Sequence, residues 1–277
     1  MKKIFLILLF ASQLFAQSEL LLLFDGASID ADAKTYIARM STTPTAAQQT
    51  RISNLFKAFK DANVYTKLLD FGILAGHDSA NSLLGCKNVS APACSGAITF
   101  VQYEGFTGDG ASGFINLNLN PTTHGGTIYV QNSASLGIYS RTNGATGQGD
   151  IGVIDGSRSL IYLRTGASGA IISVNQGSDI VSEITSAAGF FIVSRTAADT
   201  TIFYRNGTLN GQTTNASFAI ANRPIFVSAV NNGGTAAYYC IRQEAFWFVG
   251  SGLTQTDVTN INNAVETYMD ALGKGVQ

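Results

Sequence analysis

Two apolar periods divide the chain. In SIDADAKTYIARM, Ala33, Tyr36, Ile37 and Met40 fall on one helical stripe, and in TPTAAQQTRISNLFKAFKDAN the residues Ile52, Leu55, Phe56 and Phe59 do the same. Thr43 followed by Pro44 supplies an N-cap and a first-turn proline, and Asp30 and Asp32 sit where a helix N-terminus favours carboxylates. The pattern predicts helical structure over residues 28–74. About 45 residues make too thin a core to stand alone, so these helices should pack on the remainder of the chain.

From Ala97 to Val249 the period changes. Short runs rich in β-branched and aromatic residues are broken by Gly and Asn: AITFVQYEGF, SGFINLNL, GTIYV, SLGIYSR, SLIYLR, AIISV, FFIVSR, TIFYR, RPIFVSAV and AAYYCIRQEAFWFV. That many punctuated strands predict a mainly β protein, a two-sheet antiparallel jelly-roll sandwich. Asn206 and Gly207 tolerate the positive φ of a two-residue hairpin, so they should join two strands rather than hold a ligand. In the tail, Val258, Ile261, Val265, Tyr268, Met269 and Leu272 recur at threes and fours. Thr254 and Asp257 have capping-box spacing and Gly273 fits the position after the helix end.

The expected division is therefore a leader over 1–16, a helical lead-in over 17–96, and a sandwich with its closing helix over 97–277. MKKIFLILLFASQLFA has the basic start, apolar run and small final residue of a signal peptide, so the protein should be exported: extracellular, cell-surface or periplasmic. The second apolar run, LLLLF, makes an uncleaved anchor the alternative, and it is the one feature that points to a membrane. Of the three cysteines, Cys86 and Cys94 bracket CKNVSAPAC, short enough to close as a disulfide, while Cys240 reads as a buried thiol.

Composition narrows the function. Only 13% of the 277 residues are charged, the net charge is -1, and Lys and Arg do not cluster downstream of the leader, which argues against a nucleic-acid partner.

Three motifs, in order, resemble laminin-G-like, concanavalin A-like domains: GFTGDGASGFINLNLNP is similar to their early strand pair, FYRNGTLNG to their "YVDGELV" hairpin, and RQEAFWFVGSGLTQTDVTNINNAV to their closing strand and helix start. DADAKTYIARM, SLGIYSRTN and FFIVSRT further resemble an uncharacterised group of bacteriophage and prophage proteins. The resemblance implies a virion- or tail-associated protein, and the export signal leaves a bacterial surface protein as the alternative. It also implies calcium at a sheet rim, for which Asp109 and Asp150 are the candidates.

The same fold hosts glucanases, whose ExDxE strand places acid, base and nucleophile on one sheet face. This chain has no ExDxE; Glu104, Glu183 and Glu244 stand apart, and neither His77 nor His124 accompanies a GxSxG serine. No catalytic residue is assigned. GDGASG and GATGQG lack the Lys of a phosphate loop and read as turns. For sugar binding, Tyr129, Tyr139, Asn231 and Asn232 have suitable chemistry, whereas Trp247 in AFWFV reads as core. The expectation is a non-catalytic sandwich acting by surface contact on glycans or protein subunits. A secreted glycan hydrolase with an unrecognised carboxylate pair and a self-assembling lattice or filament subunit, a homo-oligomer, are the alternatives.

Overall fold

A computed structural model describes residues 28–144, 148–165 and 169–277. The leader lies outside the described residues. Four helices are described: α1 (Ala31–Ala38), α2 (Ala46–Asp61), α3 (Pro121–His124) and α4 (Gln255–Ala271).

The first sheet has eight strands. Its order is β13 (Thr208–Thr214), β12 (Thr200–Arg205), β11 (Gly189–Arg195), β6 (Ala134–Ser140), β17 (Gln243–Gly250), β4 (Gly105–Gly108) and β3 (Ile98–Val101). The eighth strand, β1 (Leu68–Ile73), shares an edge of β17 with β4: β4 pairs Gln243 and Glu244, and β1 pairs the stretch up to Gly250. The second sheet has nine strands and runs β10 (Ile180–Glu183), β9 (Gly169–Gln176), β8 (Ser157–Thr165), β7 (Gln148–Asp155), β14 (Phe226–Val227), β5 (Phe114–Asn116) and β2 (Ala93–Ser95). A hairpin of β15 (Val230–Asn232) and β16 (Thr235–Ala237) attaches to β7 through the molecule's one parallel pairing among the described strands.

This layering creates two cores. Between the sheets, Leu136, Ile138, Phe191, Val193, Trp247 and Val249 of the first meet Ile151, Val153, Ile161, Leu163, Ile172 and Val174 of the second. On the other side of the first sheet, Phe71, Tyr139, Phe190, Phe246 and Phe248 meet Ile52, Leu55, Phe56 and Phe59 of α2 and Val258, Ile261, Val265 and Met269 of α4. The molecule is thus helices on sheet on sheet.

Local rules account for the elements. Asp30 caps α1 by accepting from Asp32 N and Ala33 N at 3.0 and 3.2 Å, and Thr254 and Asp257 complete the capping box of α4. Asn206 and Gly207 have φ 51° and 73°, the left-handed pair that lets Arg205 face Thr208 across a tight hairpin. Gly273, at φ 68°, ends α4 by donating to Asp270 O.

Several expectations need correction. Residues 68–73 form β1, not helix; all six are buried, and a strand covered on both faces loses the alternation that would distinguish it from a helix. GTIYV is not a strand: Gly126, at φ 53°, turns the chain after α3, and Tyr129 N donates to Gly125 O. QGDIGVID, in which Gly and Asp interrupt the apolar pattern, is nonetheless β7. AAYYCIRQEAFWFV is not one strand, since only Gln243 onward joins the first sheet.

The disulfide is corrected as well, because Cys86 and Cys94 are both free. Cys86 turns into the helix-side core, while Cys94 lies on β2 opposite Ile115 in the other sheet. The loop between them is held by Asp70 instead. Its buried carboxylate accepts from the N–H groups of Phe71, Lys87, Val89 and Ser90 at 2.7–3.1 Å and from Ser90 Oγ at 2.7 Å.

A reductant should therefore leave the melting temperature unchanged. Phe59→Ala, which removes the ring packed on Phe71 and Phe246 at 5.3 and 6.4 Å, should cost about 3–5 kcal/mol in urea unfolding.

Candidate functional site

The residues proposed from sequence for ligand contact lie mostly inside. Tyr129 is buried, its hydroxyl bonded to Ser159 Oγ at 2.8 Å and to Asn175 Oδ1 at 3.1 Å. Tyr139 is buried and donates to Glu266 Oε2 at 2.6 Å. Neither ring can meet a sugar; by residue type alone, a position that closes a core is indistinguishable from a platform. Asn231 is buried and holds its own turn through Pro224 O and Gly234 N, so of the four only Asn232 is exposed.

The calcium candidates are also committed elsewhere. Asp109 closes a turn: Oδ1 accepts from the N–H groups of Ala111, Ser112 and Gly113 and Oδ2 from Ser112 Oγ. Those bonds, led by that from Ser112 N, hold its carboxyl well below the usual range. Asp150 is fully buried and bonded to Arg242, Nε to Oδ1 at 2.5 Å and Nη2 to Oδ2 at 2.8 Å. Neither offers the open oxygens that calcium takes. His77 rests on Thr42 O and Asp78, and His124 on Asn120, as surface fixtures.

Asp150 belongs to a buried cluster at one end of the sandwich, where β7 of the second sheet meets the start of β17. Arg242 also donates to the carbonyls of Gly144 and Gln148 at 3.0 and 2.8 Å. Cys240 Sγ lies 3.5 Å from Asp150 Oδ1 and 3.9 Å from Glu244 Oε1, and the three acidic or thiol groups fall within 4.8 Å of one another. Both Asp150 and Glu244 have no exposed surface.

Burial and the Asp150 charge together push the Glu244 carboxyl well above its usual range. Burial likewise raises the Cys240 thiol. For Arg242, burial alone would lower the value, but the Asp150 carboxylate outweighs it and the guanidinium stays charged. The cluster is therefore one ion pair with a neutral acid and a neutral thiol beside it. The two carboxyl groups, within 4.8 Å of each other, are closer than the about 5–5.5 Å of a retaining glycosidase, and the pair is sealed with one member bound to an arginine.

What the cluster does is pin a surface segment. Between β16 and β17, Cys240 and Arg242 point inward while Tyr238 and Ile241 are 47% and 43% exposed. The backbone is fastened at two points, Gly149 N to Tyr238 O and Cys240 N to Ser228 O, and Ser228 is itself tied through its N–H to Asp150 O, each at 2.8 Å. Tyr238 has φ 57°, which a bulky residue adopts only where its surroundings enforce it.

Neighbouring rings, buried or half-buried, support the surface from below. Tyr238 packs on Tyr162 at 5.5 Å, Tyr239 on Phe114 at 6.3 Å, and Phe114 stacks on Phe226 at 4.6 Å. The two glycine-rich stretches converge here. A Cβ on Gly108 would meet Cys240 O at 2.5 Å, and one on Gly110 or Gly144 would meet Ile241 at 2.6 or 3.8 Å. GDGASG is a bend, as expected, and lets this rim close around Ile241, whereas residues 145–147 of GATGQG lie outside the described residues.

Glu244 supplies a signed test. Its native value is raised, so folding requires a proton that the unfolded chain has lost above the ordinary carboxylate range; its contribution is present below that range and lost as pH rises. Glu244→Gln should flatten the fall in urea midpoint between about pH 5 and 8 and be at least as stable as the parent at the upper end. Equal destabilisation at every pH would overturn the neutral-acid assignment. Arg242→Met, which strands the Asp150 charge, should cost about 3–5 kcal/mol.

No protein-family model and no curated protein matches the chain. Among solved structures it is similar to the binding domain of botulinum neurotoxin serotype D, at TM-score 0.53 and 11% identity over 75% of this chain and 53% of that one. It is similar also to the receptor binding domain of the C/D mosaic serotype, at TM-score 0.51 and 12% identity over 71% and 51%. The chain spans about half the length of these domains. At such identity the likeness establishes a shared β-sandwich fold.

Proposed function

We propose that this is a non-catalytic β-sandwich, exported or virion-borne, that acts by surface contact, with the Tyr238–Ile241 rim as its contact surface and glycans as its ligands. The observation that carries the reading is the display of two large apolar side chains on a backbone fixed from behind by a buried ion pair. A side chain held in place loses little entropy on binding, so the energy of contact is retained. Aromatic faces suit the apolar side of a pyranose ring, and the turns around them are rich in Asn and Thr. The likeness in fold to toxin binding domains supports a binding role, and the motif order in the sequence supports a virion or cell-surface setting.

A glycan array and a cell-binding assay test the reading. The wild-type protein should give signal above a heat-denatured control on both. Tyr238→Asn, which keeps a residue tolerant of positive φ, and Ile241→Ser should each reduce binding about tenfold, as loss of a contact worth about 1.4 kcal/mol does, while the melting temperature stays within a few degrees. Wild-type signal at the control level on both assays would remove the contact reading and leave an assembly role, to be sought by electron microscopy.

A further inference from the structure

The opposite end of the sandwich holds a charge without a counter-charge. Arg195 closes β11, two residues after Val193, and its side chain runs inward between the sheets with no exposed surface. Its partners are carbonyls only: Nε donates to Val174 O at 2.9 Å, and Nη1 to Ala197 O, Ala198 O and Asn215 O at 3.1–3.2 Å. Asp199, on the adjoining turn, is exposed and its Oδ1 accepts from Thr200 Oγ1. Among the described residues Nη2 has no partner, and neither does Thr201 Oγ1, which stands directly across the ladder on the same inward face. A buried cation and a buried hydroxyl, both with unused donors, cost free energy that an acceptor would recover.

One segment reaches this pair, through Asn215 O. Asn215–Phe218 crosses it as a strap fastened by Ser217 N to Ala198 O, Phe218 N to Asn175 O and Ser217 Oγ to Asn132 Oδ1. The Phe218 side chain stays half exposed instead of plugging the end. Lifting the strap removes one of three carbonyls from Nη1 and leaves Nη2 and the Thr201 hydroxyl as the unused donors.

We propose that Arg195 and Thr201 form the floor of a site for a small oxyanion group, a carboxylate or sulfate, which enters beneath the Asn215–Phe218 strap. One oxygen of such a group accepts from Nη2 and a second from the Thr201 hydroxyl, while Nη1 stays committed to Ala197 O and Ala198 O. The site is separate from the Tyr238–Ile241 rim and does not depend on the function proposed for it. The group can belong to a free inorganic ion or to an acidic sugar.

Isothermal titration of the full chain separates these. Sodium sulfate, sodium glucuronate and glucose are each titrated in a fixed NaCl background. The expected result is saturable one-to-one binding of at least one anion and none of glucose. Sulfate alone assigns an inorganic ion, and tighter glucuronate assigns an acidic sugar. Arg195→Met should abolish the heat. Should that variant not fold, Thr201→Val, nearly isosteric, should keep the fold and weaken the dissociation constant several-fold. No saturable heat with either anion, or anion binding unchanged in Thr201→Val and in any folded Arg195→Met, overturns the site.

Discussion

Strand β17 has no solvent face, and the rest of the molecule is arranged around that constraint. All eight of its residues are buried. Trp247 and Val249 enter the core between the sheets, while Phe246 and Phe248 enter the core beneath the helices. A strand of this kind cannot stop at a two-layer sandwich, because one set of its rings would face water. Each buried aromatic side chain is worth about 1.5–3 kcal/mol relative to exposure, so leaving that face open to water would forfeit several kcal/mol. The helices are the third layer that β17 requires.

The same strand explains where charge is stored. Inward positions recur every second residue from Trp247 onward, and an irregularity between Glu244 and Phe246 turns Glu244 inward at the beginning of β17, where the apolar core ends. Arg242 and Glu244 lie there, and Asp150 answers them from β7. An ion pair there gains little net stability over apolar side chains of equal volume. It gains direction: a guanidinium that must meet Asp150 and two loop carbonyls at once fixes the position of the chain on either side. The exposed Tyr238 and Ile241 inherit that fixity.

Much of this was legible in the sequence. The three amphipathic helical stripes, the hairpin at Asn206 and Gly207 and the strand-rich middle arise from period and turn chemistry alone, since each is set by contacts within a few residues. What was not legible depends on the second covered face. β1 reads as a continuation of the helical region because LLDFGI is buried on both sides. Tyr129 and Tyr139 read as ligand platforms because nothing local says that α4 and the second sheet will close over them. The rim carried a signal that composition obscured: Arg242 and Glu244, two apart beside a run of apolar residues, are the alternation of charges that face inward.

Charged side chains make up 13% of the chain, yet Asp70, Asp150, Arg195, Arg242 and Glu244 are fully buried. Each of these buried charges meets hydrogen-bond partners brought to it, and the remaining charges are spread over the surface with both signs nearly balanced. A surface of that kind has weak long-range fields, so encounter with a partner is not steered by charge and responds little to salt. Its selectivity must come from shape and from donors and acceptors held at fixed positions. That is the property the buried pair confers on the Tyr238–Ile241 rim, and it is why the interior electrostatics of this sandwich and the chemistry of its surface form one problem.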